Sequence, residues 1–319
     1  MAYRSFRPDE PLPSLLARFG VRSAAQLGHD VRLVFAHQLE RARGRSDRFA
    51  FNLASAGLLR PDLSLPAWAG LVPADGVAPI YNLFDRNGGG RGFRTAVSRS
   101  PNLRDHRGGR LSYDEHDGTD LVCPPGTPLC AAAPGIVVAL RNNFLRGGLT
   151  ACVDHGDGVV TQYTHLTRLR VPLGRRVARG EPIADSGTSG FDLMQFFPLV
   201  PPHIHFMVFV RGRPVDPYRV PGDPDEGGAW ADGKDPRTAA APLPDDPAPA
   251  QVLPQVDLPL LTSAIARCGD PRIAAELRAQ PDALARAAVL EDSLHHDRAA
   301  WPPPLADEVL PALRPGADP

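Results

Sequence analysis

The chain has 319 residues, enough for one large domain or two modest ones. Hydrophobic residues make up 43% and charged residues 22%, which is ordinary for a soluble globular protein, and the formal net charge of -1 gives no overall attraction to nucleic acid or to an anionic membrane. No apolar run approaches the length of a membrane-spanning helix, so no membrane-spanning segment is expected.

Residues 1–105 are predicted to form a mainly helical N-terminal region with a Gly- and Arg-rich loop. Apolar clusters near 15–21 and 31–39 favour helices. The loop at 86–110 lacks the spacing of a phosphate-binding motif and is interpreted as the border of a cleft. Because no basic segment followed by an apolar segment opens the chain, a cytoplasmic location is expected. A periplasmic or extracellular location would require another export route or a truncated start.

Residues 106–220 are predicted to form a β-rich domain. Strand-like runs occur at 135–140, 149–155, 159–166, 168–172 and 202–210. The turn residues Asp157 and Gly158 predict a short hairpin in which 151–154 runs back along 160–163. His155 falls in this turn and is interpreted as structural.

The remainder of the chain is predicted to be a linker and a helical appendage. Residues 221–256 are rich in Pro, Gly, Ala and Asp, a composition typical of an extended linker. Apolar residues at helical spacing return in 257–319. We expect this C-terminal appendage to dock on the core or on a partner.

Histidines and one carboxylate from separate segments are the candidates for chemistry. His203 and His205 lie two apart on a predicted strand, so both side chains face one side. Upstream, His116 and Asp120 lie on a predicted loop that leads into a strand, and His165 ends a strand-like run. Two histidines with one carboxylate are a ligand set that leaves a fourth position open on zinc. The alternative for the histidine pair is a surface position without function.

The order of these motifs resembles peptidase family M23, the zinc metalloendopeptidases of the lysostaphin and LytM type. The resemblance covers about residues 108–218, and each motif alone is common while the set is specific. The matching segments are His116…Asp120, Gly126-Thr127-Pro128, Ala133…Val137, Asp154-His155-Gly156, Tyr163…Leu166, Gly174…Ile183 and Pro202…Phe206.

The resemblance implies an α+β fold with a central antiparallel β-sheet of the lysostaphin/LytM-like, duplicated-hybrid-motif type, flanked by N- and C-terminal helical regions. It implies Zn²⁺ as the cofactor, with His116, Asp120 and His205 as its ligands. His165 and His203 are the implied catalytic residues. One would take a proton from a zinc-activated water, and the other would stabilise the oxyanion or protonate the leaving amine. The sequence leaves open which does which.

The implied activity is that of a cell-wall hydrolase. Its substrate would be a peptide bond in peptidoglycan cross-bridges or stem peptides, and no nucleic-acid partner is implied. The alternative is a non-catalytic M23-fold protein that binds or regulates cell-wall hydrolases, although such members typically lose metal ligands. The sequence also leaves open an oxyanion donor at Tyr113 and autoinhibition through Asn102.

The chain departs from the family pattern in two places. The link at 186–202 is longer than usual and apolar. It predicts either packing onto the N-terminal helices or an exposed segment near the cleft that forms a substrate wall or a partner-binding patch. Met207 stands where the family usually has Glu. That Glu is not a metal ligand, so its replacement affects the hydrogen bonds made to the ligands rather than zinc binding itself. The four cysteines lack C-x-x-C spacing, so a cysteine zinc site is not expected. Cys123 and Cys130 either pair or remain free, buried thiols.

Overall fold

The computed structural model describes residues 2–42, 59–82, 117–144, 147–215, 217, 255–296, 300–303 and 305–314. The Gly- and Arg-rich loop and residues 221–254 of the predicted linker lie outside these ranges. So do the candidate residues Asn102, Tyr113 and His116. The predicted domain boundaries stay predictions.

Along the part of the chain that the structure describes, N-terminal helices with three short strands come first, then a run of strands, and then four C-terminal helices. The N-terminal elements are β1 (Tyr3–Ser5), α1 (Leu15–Arg18), α2 (Ala24–Ala42), α3 (Pro61–Trp68), β2 (Leu71–Pro73) and β3 (Ile80–Asn82). Then follow β4 (Thr119–Val122), β5 (Pro128–Cys130), β6 (Gly135–Asn143), β7 (Gly148–Gly156), β8 (Val159–Leu169), β9 (Arg176–Val177), β10 (Pro182–Ser186), α4 (Phe191–Gln195), β11 (His203–Val210) and β12 (Arg213–Val215). The C-terminal helices are α5 (Leu258–Ala266), α6 (Pro271–Ala279), α7 (Ala283–His296) and α8 (Leu305–Leu313). Within the described ranges, no helix is both long and apolar enough to span a bilayer.

A ten-stranded antiparallel sheet is the centre of the described structure. Its main order is β3-β4-β11-β8-β7-β6-β9, with β12 beside β11 and with β10 between β8 and β5. The prediction of an α+β fold with a central antiparallel sheet is therefore confirmed. The separate strand predicted at 168–172 was wrong, because β8 continues to Leu169 and pairs with β10 there.

The β7–β8 hairpin follows the predicted register. Ala151 lies opposite Tyr163, and Asp157 and Gly158 turn the chain with φ values of 49° and 75°. Positive φ at both turn residues matches the right-handed twist of the flanking strands. His155 bonds the carbonyl oxygen of Pro134 through Nδ1 and a threonine hydroxyl through Nε2, each at 2.8 Å. Both ring nitrogens are used within the fold, as expected of a structural histidine.

The two faces of β11 differ because side chains alternate along a strand. Ile204, Phe206 and Val208 point into a core that they share with β5, β7, β8 and β10. The opposite face carries His203 and His205, and it continues as Met207 and Phe209 in a second core cluster. The predicted common face of the two histidines is therefore present.

The C-terminal helices pack on that second face. Leu261, Leu277, Leu290 and Leu313 are among the helical residues buried in the same cluster as Met207. Ion pairs add to this contact. Arg141 of β6 pairs with the buried Asp292 and with Glu276 at the surface, and the buried Arg314 pairs with Asp154 and Glu291. Of the two destinations predicted for the appendage, the structure has docking on the core.

The apolar link before β11 packs onto the N-terminal helices. Leu193 and Val200 are buried in one cluster with Phe19 and Leu63. Phe197 stacks edge-on against Trp68 with ring centroids 4.8 Å apart. Packing, rather than an exposed wall, therefore describes most of this segment, although the Phe197 side chain remains 44% exposed.

All four cysteines are free thiols, so Cys123 and Cys130 do not pair. Cys152 is buried, as a small hydrophobic side chain would be. Cys130 is exposed, so the expectation of buried thiols was wrong for this residue.

Candidate metal and catalytic site

Pairing of β4 with β11 brings the first two candidate residues together. Asp120 lies directly opposite His205 in the ladder, and Asp120 Oδ1 is 2.8 Å from His205 Nδ1. Side chains directly opposite in an antiparallel pair project from the same face. Two candidates that are 85 residues apart in sequence are thus joined by backbone pairing.

His203 lies beside this pair at the start of β11. Its Nδ1–H donates to the carbonyl oxygen of Pro201 at 2.7 Å, and its Nε2 is 3.7 Å from Asp120 Oδ1. The backbone contact fixes the ring orientation and presents Nε2 to the site. His203 is 6% exposed, so little solvent reaches it.

His165 reaches the site through an irregularity in β8. The register between β7 and β8 shifts around Thr164 and His165, and His165 has a φ of 59°. A bulge re-aims a side chain, and the left-handed backbone costs on the order of 1–3 kcal/mol. The His165 ring lies 4.9 Å from that of His203, and its Nδ1–H donates to the carbonyl oxygen of Ser189 at 2.8 Å. His165 thus also presents Nε2.

The surroundings shift the pKa values of His165 and His205 in opposite directions. Burial, followed by the neighbouring His203 and His205, lowers the pKa of His165 to about 3, so this imidazole is neutral. Burial alone would lower the pKa of His205 as well, but hydrogen bonds to Asp117 and Asp120 outweigh it and raise the pKa to about 10. The two carboxylates therefore stabilise positive charge at His205.

The donor chemistry fits a zinc ion. Zinc prefers imidazole nitrogen and carboxylate oxygen, which Asp120 and His205 supply side by side. Among the described residues, no three such donors converge as a complete site. The third implied ligand, His116, lies outside the described residues.

Three further residues at the site were missed by sequence reasoning. Asp117 is fully buried and bonds the other nitrogen of His205, with Oδ1 3.1 Å from Nε2. After a bulge in β3, Asn82 lies opposite Asp120, and the ring of Tyr81 within the bulge lies 5.2 Å from that of His203. The buried amide of Asn82 has no hydrogen-bond partner in the described structure. The carboxylate next to His116 was the one available signal.

The family model described as peptidase family M23 matches residues 114–217. The predicted resemblance to this family is therefore confirmed for the β-rich region of the chain. The matched segment contains the described candidates Asp120, His165, His203 and His205.

Similar proteins include two enzymes of Vibrio cholerae. Peptidoglycan DD-endopeptidase ShyA is 38% identical over 105 residues, which is 33% of this chain and 23% of that protein. Peptidoglycan DD-endopeptidase ShyC is 32% identical over 149 residues, 44% of this chain and 32% of that protein. The chain therefore spans about a quarter to a third of the length of these curated relatives.

Among solved structures, the catalytic domain of the antimicrobial peptidase lysostaphin from Staphylococcus simulans is 28% identical. The match covers 33% of this chain and 78% of that chain, with a TM-score of 0.29.

Proposed function

We propose that the β-rich region is a zinc-dependent metalloendopeptidase that hydrolyses a peptide bond in peptidoglycan. The observation that carries the proposal is the meeting of Asp120, His165, His203 and His205, from three strands, at one end of the sheet. Buried polar side chains gathered in this way are costly unless they are paired or used. The match of residues 114–217 to a peptidase family supports the reaction class.

The proposed zinc ligands are Asp120 and His205, with His116 as the third. A bound zinc ion supplies Lewis acidity, which polarises a carbonyl group and makes water acidic near neutral pH. Asp120 also carries negative charge into a nearly closed site, where it attracts a cation more strongly than in water.

His165 and His203 are proposed to move the protons. Each has its Nδ1–H bonded to a backbone carbonyl, so each offers Nε2 as a base. One, in its neutral form, takes a proton from the attacking water at Nε2 while the new C–O bond forms. The other, protonated on both nitrogens, stabilises the oxyanion through Nε2–H or gives that proton to the leaving nitrogen as the C–N bond breaks. The assignment between the two stays open.

The proposed scissile bond is a D,D cross-link between stem peptides. Support comes from the names of ShyA and ShyC, which are both peptidoglycan DD-endopeptidases. Peptidoglycan lies outside the cytoplasmic membrane, so this substrate favours a periplasmic or extracellular location over the cytoplasmic one expected from the N-terminal residues.

Zinc content is the first test. The protein is purified without chelator or affinity-tag nickel, and metal is measured by elemental analysis in wild type, His205→Ala and the control His29→Ala. His29 is exposed on α2, so the control makes the same chemical change away from the site. We expect about one zinc per chain in wild type and control, and its loss in His205→Ala.

Activity is measured on the same preparations with purified sacculi and with a D,D-cross-linked muropeptide dimer. Release of monomers by wild type and control, but not by His205→Ala, is the expected result. A well-folded wild type that takes up no zinc would overturn the peptidase proposal. Zinc binding with attachment to sacculi but no cleavage would instead favour the non-catalytic, regulatory alternative.

A further inference from the structure

Asp117 occupies the edge of the His205 ring that faces away from Asp120. Its Oδ1 lies 3.1 Å from His205 Nε2, whereas Asp120 Oδ1 lies 2.8 Å from Nδ1. Asp117 is fully buried. A buried carboxylate needs a charged or hydrogen-bonding partner, and His205 is one that it contacts directly.

The other polar side chains gather on the Nδ1 side of this ring. Asp120 Oδ1 is 3.7 Å from Nε2 of His203, and the His203 ring is 4.9 Å from that of His165. The proposed metal and catalytic residues therefore lie on the same side of the His205 ring as Asp120. An imidazole that binds a metal through one nitrogen donates its other N–H to an outer acceptor, which fixes its tautomer and orientation. Asp117 stands where that acceptor is needed.

Gly118 holds this acceptor close to the ring. A Cβ built at Gly118 would lie 2.8 Å from His205 Cε1, 2.9 Å from Nε2 and 2.6 Å from the carbonyl oxygen of Phe206. Real Cβ atoms essentially never approach so closely. The backbone after Asp117 therefore lies against the imidazole edge, a spacing that only glycine permits.

We propose that Asp117 is a positioning residue that accepts the Nε2–H of His205 and thereby orients Nδ1 towards the metal. The inference rests on the proposed zinc site and adds an outer residue to it. Met207, two residues beyond His205 on the same face, offers no carboxylate and is buried among apolar side chains, where Gln162 approaches its sulfur at 3.5 Å. Asp117 is thus the carboxylate that contacts His205 at Nε2, on the side of the ring opposite the proposed metal-binding nitrogen.

The test compares zinc affinities. The dissociation constant is measured by competition with a chelating dye for wild type, Asp117→Asn and Asp117→Ala. Asp157→Asn, at an exposed turn of the same sheet, is the matched control. We expect zinc binding to weaken 10- to 100-fold, more for Ala than for Asn, because Asn keeps an acceptor and loses only the charge. The control should match wild type.

Cobalt substitution gives a second readout that a purely structural role would not change. The visible absorption of the Co²⁺ protein should shift in Asp117→Asn, while the circular dichroism of the metal-free variant matches wild type. Zinc binding by Asp117→Asn within twofold of wild type, with an unchanged cobalt spectrum, would overturn the role of Asp117 and leave the proposed peptidase intact. A wild type without zinc would overturn both.

Discussion

Asp120 and His205 are cross-strand partners of β4 and β11, with Oδ1 and Nδ1 2.8 Å apart. Their separation is set by the ladder between two strands of the central sheet rather than by a loop. Sites built on regular elements keep their geometry more closely than sites on loops. The residues around this pair can therefore be changed one at a time while the frame that holds the pair persists.

Replacing His165 should separate metal binding from turnover. His165→Asn suits the backbone, because Asn tolerates the left-handed conformation that has a φ of 59° here. Asn cannot act as a base, so turnover of the muropeptide dimer should fall about 10²- to 10⁴-fold. Zinc content should stay that of wild type. Near-normal turnover in this variant would remove His165 from the proposed mechanism.

A methyl group at Gly118 should disturb His205 directly. The added Cβ would lie 2.6 Å from the backbone oxygen of Phe206, which cannot move without shifting β11. Overpacking of this kind costs about 1–3 kcal/mol, and zinc affinity should fall with it. Gly28→Ala on α2 is the control, because its Cβ meets only the end of the Arg32 side chain at 3.9 Å. The free energy of unfolding of both variants is measured in urea, with and without zinc. Equal values for Gly118→Ala and Gly28→Ala would contradict the close contact at Gly118.

Arg314 should be important for stability although it lies far from the site in sequence. It is 1% exposed and pairs with Asp154 and Glu291, both also buried. Arg314→Leu leaves two carboxylates buried without this partner, which costs about 3–5 kcal/mol. Arg267→Leu, whose pair with Glu308 is exposed, should cost less than about 1 kcal/mol. Chemical denaturation measures both. A loss of less than about 1 kcal/mol for Arg314→Leu would contradict the prediction, because it would show that Asp154 and Glu291 are hydrated once Arg314 is removed.

His155 should make folding sensitive to acid. Burial lowers the pKa of this histidine from 6.5, so the folded state keeps the ring neutral. As the pH falls below the unfolded pKa, the unfolded chain takes up the proton first and the free energy of unfolding decreases, by at most about 1.4 kcal/mol per pH unit for one group. In metal-free protein, stability should fall less between pH 7 and pH 5 in His155→Gln than in wild type. Exposed His29→Gln is the control, and an identical fall in all three would refute the assignment.

The local part of the site could be predicted from the sequence. The alternation of a strand puts His203 and His205 on one face, and the turn residues Asp157 and Gly158 fix the hairpin that leads to His165. The antiparallel sheet followed from the resemblance rather than from any single pattern. Docking of the C-terminal helices stayed one of two alternatives, because helical periodicity reveals a buried face but not its partner.

The rest of the site depends on pairing between strands that are far apart in the sequence. The proximity of Tyr81 and Asn82 to Asp120 arises from a strand pair with a bulge, and two short strands give little sequence signal for such pairing. Asp117 resembles any acidic loop residue until the fold sets it against His205. The bulge that turns His165 into the site is equally a product of pairing in the folded sheet.

One face of β11 passes from polar to apolar within two residues, from His205 to Met207, a distance of about 7 Å along the strand. The C-terminal helices cover that face from Met207 onward. They close this face beyond His205, so its polar part is confined to His203 and His205 at the start of the strand.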